Sequence, residues 1–172
     1  DLVVRIGVLE DSGLIARRVG DCPLYLCASP DLIASWGQPE APGDVSAMPA
    51  VIYSLTSGGI SWSCRGDDGE THSVALRPAL YANSAGMMLE ACLAGVGVAI
   101  LPHFSCADAL ASGHLRRLLP GFETVPDRGI YVVYPDKRFV PLKVRSFIDV
   151  IASELSAGID GGHHLEGAAS RG

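Results

Sequence analysis

Asn83 and Ser84 stand directly before a stretch in which Met88, Ala91 and Cys92 recur at helical spacing. Two kinds of chemistry follow from that placement. Either side chain can cap the helix by accepting a bond from a first-turn N–H. The N–H groups left over, with the partial positive charge of the helix end, suit a carboxylate or another anion. Arg5 is a second charged candidate, because it interrupts the apolar run DLVVRIG of residues 1–7. It either reaches a ligand near Gly7 or pairs with a carboxylate, since an unpaired buried charge is costly. Tyr53, Ser54 and Thr56 follow another apolar run, and either face a ligand or form a turn. Pro102 and His103 end a third run and shape the rim of the same candidate site.

Sharper motifs fail on their context. Gly95-Val96-Gly97 has the core of a dinucleotide fingerprint, but it follows a helix and precedes a strand, whereas phosphate binding needs the reverse order. There is no nucleophile elbow and no phosphate-binding loop. Cysteines 22, 27, 64, 92 and 106 include no Cys-x-x-Cys pair, so no zinc is expected. Cys92 falls on the apolar helical stripe and reads as a small core residue. Cys92 or Cys106 with His103 is the arrangement a thiol enzyme would use. His163-His164 lies in a stretch without periodicity and is a poor site alone. No cofactor is implied.

The elements that must position these residues alternate between strand and helix. Leu2–Val8 and Leu24–Ala28 read as strands. Ser29-Pro30 starts a helix, with serine as cap and proline in the first turn, and Gly37 stops it. Residues 38–49 are mostly loop, and Ala50–Ser54 and Ile60–Cys64 return to strand. The run RGDDGE at 65–70 is a hairpin turn with Ser73–Leu76 as its return strand. Gly95 suits a left-handed helix stop. Gly97–Leu101 is apolar on both faces, as a central parallel strand should be. Phe104, Ala107 and Leu110 make a helical stripe that Gly113 ends, and Ile130–Tyr134 is a strand. Pro141 opens the longest helix, with Val144, Phe147, Ile148, Ile151 and Leu155 along its apolar face. From Gly158 onward the chain is expected to be disordered. The alternation predicts an α/β fold with a largely parallel sheet.

Composition narrows the class. The chain has 172 residues, 48% hydrophobic, enough for one or two packed lobes. A net charge of −6 argues against gripping phosphate backbones unaided. No window holds the ~18 uninterrupted apolar residues of a membrane helix, and Asp1 leads straight into a strand rather than a signal peptide. Five cysteines without dense spacing point to reduced thiols in the cytoplasm.

The segment Asn83 to Pro102, with its Ala-x-x-Gly-x-Gly-x-Ala-x-Leu-Pro spacing, resembles the effector-binding domain of LysR-type transcriptional regulators. DLVVRIG at 1–7, LYLCASPDLIASWGQPEAPGDV at 24–45 and YVVYPDKRFVPLKVRSFIDVI at 131–151 are similar to the same family in the same order. The resemblance implies a two-lobed, periplasmic-binding-protein-like α/β fold. It places residues 1–20 and 137–156 in a partial first lobe, 21–136 in a complete second lobe, and 157–172 in a tail. It also implies a small metabolite between the lobes, with Arg5, Gly7, Tyr53, Ser54, Asn83, Ser84 and Pro102 as ligand-binding residues. DNA is then reached only through a helix-turn-helix domain expected to precede this fragment, in a homodimer or homotetramer. A solute-binding protein of a transport system is the alternative from another class.

Overall fold

The computed structural model describes residues 2–7, 14–55, 60–135 and 146–153. In chain order the strands are β1 (Val3–Gly7), β2 (Leu14–Asp21), β3 (Leu24–Ala28), β4 (Pro49–Tyr53), β5 (Ser61–Gly66), β6 (Thr71–Ala75), β7 (Arg77–Ala82), β8 (Val98–Pro102), β9 (Arg116–Arg117), β10 (Phe122–Thr124) and β11 (Gly129–Pro135). The helices are α1 (Pro30–Trp36), α2 (Ala85–Leu93) and α3 (His103–Ala111), with a 3-10 turn at Pro42–Ala47 and helical residues at 146–153. The chain divides into two compact units, Asp1–Cys22 with Asp127–Gly172, and Pro23–Pro126.

In the first unit β11 is the middle strand of an antiparallel sheet ordered β1-β11-β2. By contacts, residues 127–135 fall in the first unit. Val132 and Val133, consecutive and therefore on opposite faces, are both buried, as is Ile148. Arg17 of β2 is paired with Asp149 at 3.0 Å. The expected apolar helix face is therefore only partly inward: Ile148 is buried while Phe147 is 46% exposed. Val144, Leu155 and the expected tail lie outside the described residues.

The second unit is built on a five-stranded sheet ordered β7-β4-β8-β3-β9. β4 runs parallel to both β7 and β8, but β3 is antiparallel to β8 and to β9. The sheet is thus mixed, where alternation of elements alone suggested a largely parallel one. On one face α2 and α3 bury Cys27, Val51, Met88, Cys92, Ala99, Leu101 and Cys106. On the other, Leu26, Ala50, Ile52 and Val98 pack with Leu32 of α1 and with Trp62, Cys64 and Val74. Those last three come from a small antiparallel sheet, β10-β5-β6. The expected hairpin is there, closed by Gly66 N–H to the Glu70 carbonyl.

Local signals explain the helix ends. Ser29 Oγ accepts from Leu32 N–H at 3.3 Å, Pro30 opens α1, and Gly37 ends it at φ 90°. Gly95 and Gly113 stop α2 and α3 with φ of 74° and 77°, the left-handed region that glycine enters without a Cβ penalty.

The segment between α1 and β4 is tied by one carboxylate. Asp44 Oδ2 accepts from Ala41 N–H at 2.9 Å and Glu40 N–H at 3.0 Å. Those bonds, Ala41's first, hold the Asp44 carboxyl below its ordinary value. A group depressed in this way supports the fold above the unfolded carboxyl range and stops doing so as pH falls through its folded value. Asp44→Asn is expected to quicken amide exchange at Glu40 and Ala41 at pH 7, and to lose its difference from the parent chain at strongly acidic pH. Equal exchange at pH 7 would show the tie to be idle.

Candidate functional site

Three strands of the second unit end at one edge of the sheet. β4 and β7 are parallel neighbours with Tyr53 opposite Ala82, and Ser54 N–H donates to the Ala82 carbonyl at 2.8 Å. β8 runs parallel on the other side of β4 and finishes at Pro102. Tyr53, Ser54, Asn83, Ser84 and Pro102 therefore share the carboxyl edge, where open α/β sheets hold ligands. Thr56 lies outside the described residues. Arg5 and Gly7 lie in β1 of the other unit.

The cap is settled in favour of Ser84. Its Oγ accepts from Met87 N–H at 3.3 Å, and Asn83 is exposed beside it. One first-turn donor is thereby used and the others face outward with the helix dipole behind them. α2 buries Met88 and Cys92, two of the three positions its spacing marked, and leaves Ala91 half-buried.

Pro102 turns the chain from β8 into α3. Ser105 Oγ donates to the Pro102 carbonyl at 2.8 Å, and Cys106 Sγ approaches the carbonyls of Pro102 at 3.5 Å and His103 at 3.6 Å. The His103 ring packs on Tyr25 with centroids 5.0 Å apart, and the Arg117 guanidinium lies 4.1 Å from the Tyr25 ring centre. Tyr25 and Arg117 thus join this edge unforeseen. Tyr25 is the second residue of β3, which runs opposite to β8, so its place at the carboxyl end of β8 follows only from an antiparallel pairing.

Arg5 has a plainer setting than its sequence suggested. β1 is an edge strand with Val3, Val4 and Ile6 exposed, and Arg5 stands opposite Tyr131. An exposed arginine on an edge strand needs no buried partner, and among the described residues it has no ion pair.

All five cysteines are buried and free. Burial raises the Cys22 and Cys64 thiols and pushes Cys92 up to about 12. Cys92 Sγ donates to the Cys27 carbonyl at 3.4 Å. Among the described residues no thiol is hydrogen-bonded to an imidazole, the pairing a thiol nucleophile uses. No group of three metal-ligating side chains occurs among the described residues either, and no described helix is long and apolar enough to cross a membrane.

Residues 1–156 match the LysR substrate binding domain family. The transcriptional regulator PtxR of Pseudomonas aeruginosa is 35% identical over 155 residues, covering 90% of this chain and 49% of that protein. The transcriptional activator AaeR of Escherichia coli is 30% identical over 149 residues, 87% of this chain and 48% of its own length. The chain therefore spans about half the length of the curated relatives it matches. Among solved structures, the regulatory domain of CrgA, a LysR-type regulator of Neisseria meningitidis, superposes with a TM-score of 0.76 at 27% identity. It is covered to 75%, against 90% of this chain. Full-length AphB, the Vibrio cholerae virulence activator, gives 0.75 at 29% identity, with 90% of this chain and 51% of AphB covered.

Proposed function

The chain belongs to the LysR substrate-binding domain family, and from that premise we propose that it is the effector-sensing part of a transcriptional regulator whose effector is a small anionic metabolite. The observation that carries the anionic class is the shared carboxyl edge, where the open N-terminus of α2 stands beside Tyr53 and Ser54. Asn83, Ser84, Tyr53, Ser54 and Pro102 form the ligand set at that edge, and Arg5 and Gly7 are the further candidates the sequence offers. In the whole protein, effector binding changes how a helix-turn-helix domain engages DNA, in a cytoplasmic homodimer or homotetramer. No bond is made or broken and no cofactor is used. The named relatives are regulators of transcription, which favours this reading over a transport binder or a thiol enzyme.

Calorimetric titration of the chain with small carboxylates, against neutral sugars and amines, tests the class. A carboxylate is expected to saturate at one site. Arg5→Ala then removes a charge-assisted hydrogen bond of ~1.5–3 kcal/mol, roughly ten- to hundredfold in affinity. Ser84→Ala reduces the helix-end contribution of ~0.3–1 kcal/mol, only a few-fold. Saturable binding of a neutral solute but of no carboxylate would refute the anionic class. Unchanged carboxylate affinity in Arg5→Ala would return that residue to the solvent-facing role its exposure describes.

A further inference from the structure

A half-exposed indole and an unpaired carboxylate share one cavity in the second unit, away from the effector edge. Trp36 is the last residue of α1, and Gly37 ends the helix behind it at φ 90°. Trp36 joins neither core cluster and is 47% exposed. With Gln38, Pro39, Asp44 and Met48 it lines a cavity of about 300 Å³, at the small end of the range for ligand pockets. Met48 directly precedes β4, and Pro49 stands opposite Arg77, the first residue of β7. The cavity therefore lies at the amino end of two strands whose carboxyl ends carry Tyr53 and Ala82.

The lining selects a sign of charge. Asp44 is aimed before any ligand arrives, because Oδ2 accepts from Glu40 N–H at 3.0 Å and Ala41 N–H at 2.9 Å. Those neutral donors fix the carboxylate without cancelling its charge, and among the described residues Asp44 has no ion pair. The indole presents a negative ring face, and the fold already sets one cation on it. The Arg77 guanidinium carbon lies 5.7 Å from the ring centre. Arg77 does not line the cavity, so its guanidinium does not fill it. The chain's net charge of −6 adds a background field that favours cations.

The rest of the lining suits a weakly hydrated cation. Pro39 and Met48 are buried and apolar, whereas a primary ammonium needs acceptors for three N–H donors. A quaternary ammonium carries its charge on alkyl groups, makes no such demand, and is drawn to an aromatic face. We propose that this cavity binds a small quaternary ammonium ion, with the Trp36 indole as its platform and Asp44 as its counter-charge. The site is separate from the effector edge and does not depend on the effector reading.

The test uses the whole chain, isotope-labelled and titrated with tetramethylammonium chloride at constant ionic strength while its resonances are followed. The chain has two tryptophans. The Trp62 indole N–H is bonded to Thr124 in the core, so the two indole signals report different places. The Trp36 indole and the Gly37 and Ala47 amides are expected to shift and saturate together while the Trp62 indole stays still. tert-Butanol, similar in shape but uncharged, is expected to bind several-fold more weakly, since an exposed cation–π contact alone is worth roughly a two- to fivefold factor. Asp44→Asn should reduce the preference for the ion over the alcohol. A merely loosened segment would weaken both alike, and that outcome would remove Asp44 from the site and overturn the proposal. Arg77→Gln takes a like charge away from the ring and should tighten the ion by a few-fold. Weaker binding in that variant would overturn the cationic class.

No saturable shift in the parent chain, equal affinity for tert-butanol, or saturation of the Trp36 signal by sodium acetate would also sink the proposal. If a variant fails to fold, the comparison of the two solutes on the parent chain decides. Carboxylates are expected to move the Asn83 and Ser84 amides and leave Trp36 unmoved. A Trp36 response to the ion without any carboxylate binding would therefore end the effector reading and leave this site standing. Carboxylate binding with a silent Trp36 would do the reverse.

Discussion

Trp62→Ala should lower the stability of the second unit by about 3–5 kcal/mol, the range for truncating a large buried aromatic. Trp62 is 1% exposed and stands in β5 opposite Val74. It fills the core between the small sheet and the five-stranded one, with Leu26, Ile52 and Val98 in the same cluster. Its indole Nε1 donates to Thr124 Oγ1 at 3.0 Å. The two contributions can be separated. Thr124→Val leaves the ring packed but strands the indole N–H, which costs ~1–3 kcal/mol if water cannot reach it. Urea unfolding followed by circular dichroism should therefore rank Trp62→Ala well below Thr124→Val. A Trp62→Ala midpoint equal to the parent's would mean that the two sheets are not held together by this side chain.

Much of that core is legible in the sequence because it depends on short-range rules. Ser29-Pro30 and Gly37 bracket α1 through chemistry within one turn. Gly95 stops α2 for the same kind of reason, and Asp68-Gly69 turns the hairpin between β5 and β6. The features that are not legible are long-range or carry mixed local signals. β7 reads RPALYA, with a proline and five exposed residues, and gives no clear strand signal. It is an edge strand, where a missing N–H and a solvated face are tolerated. β2 carries two arginines and has only its pairing with β11 to define it. α3 shows how residue size misleads. Its helical stripe points Phe104 inward, yet Phe104 is 62% exposed while the smaller Cys106 is fully buried. The antiparallel alignment of β3 with β8 hides Tyr25 from the candidate site, because strand direction is not written in local sequence. The end of each strand at the carboxyl edge is readable from composition. Which strands end side by side is not.

Gly97 carries the other large effect, and it lies within the segment by which the family is recognised. The two glycines of Gly95-Val96-Gly97 answer to different constraints. Gly95 is in the left-handed region at φ 74°, so a side chain there meets backbone strain, worth ~1–2 kcal/mol. Gly97 has no such dihedral, but a Cβ there would lie 2.6 Å from the Pro49 carbonyl oxygen, 2.8 Å from its carbon and 2.9 Å from Ala50 N. All three contacts are backbone atoms at the start of β4, so no side-chain rotation relieves them. The next residues, Val98 and Ala50, are already paired in the sheet. Gly97→Val is therefore expected to force β4 and β8 apart, at about 3 kcal/mol or more, the upper end of the overpacking range. Gly95→Ala should cost less, because its Cβ meets only Ser29 Oγ at 3.4 Å. The damage also differs in kind. β4 and β8 deliver Tyr53 and Pro102 to the carboxyl edge, so Gly97→Val should weaken effector binding even under conditions where the chain remains folded. Gly95→Ala should lower the unfolding temperature and leave affinity nearly intact. Thermal unfolding and carboxylate titration of both variants separate the two outcomes. If Gly97→Val were as stable as the parent chain, the close approach of these two strands would have to be abandoned as the reason for glycine at this position.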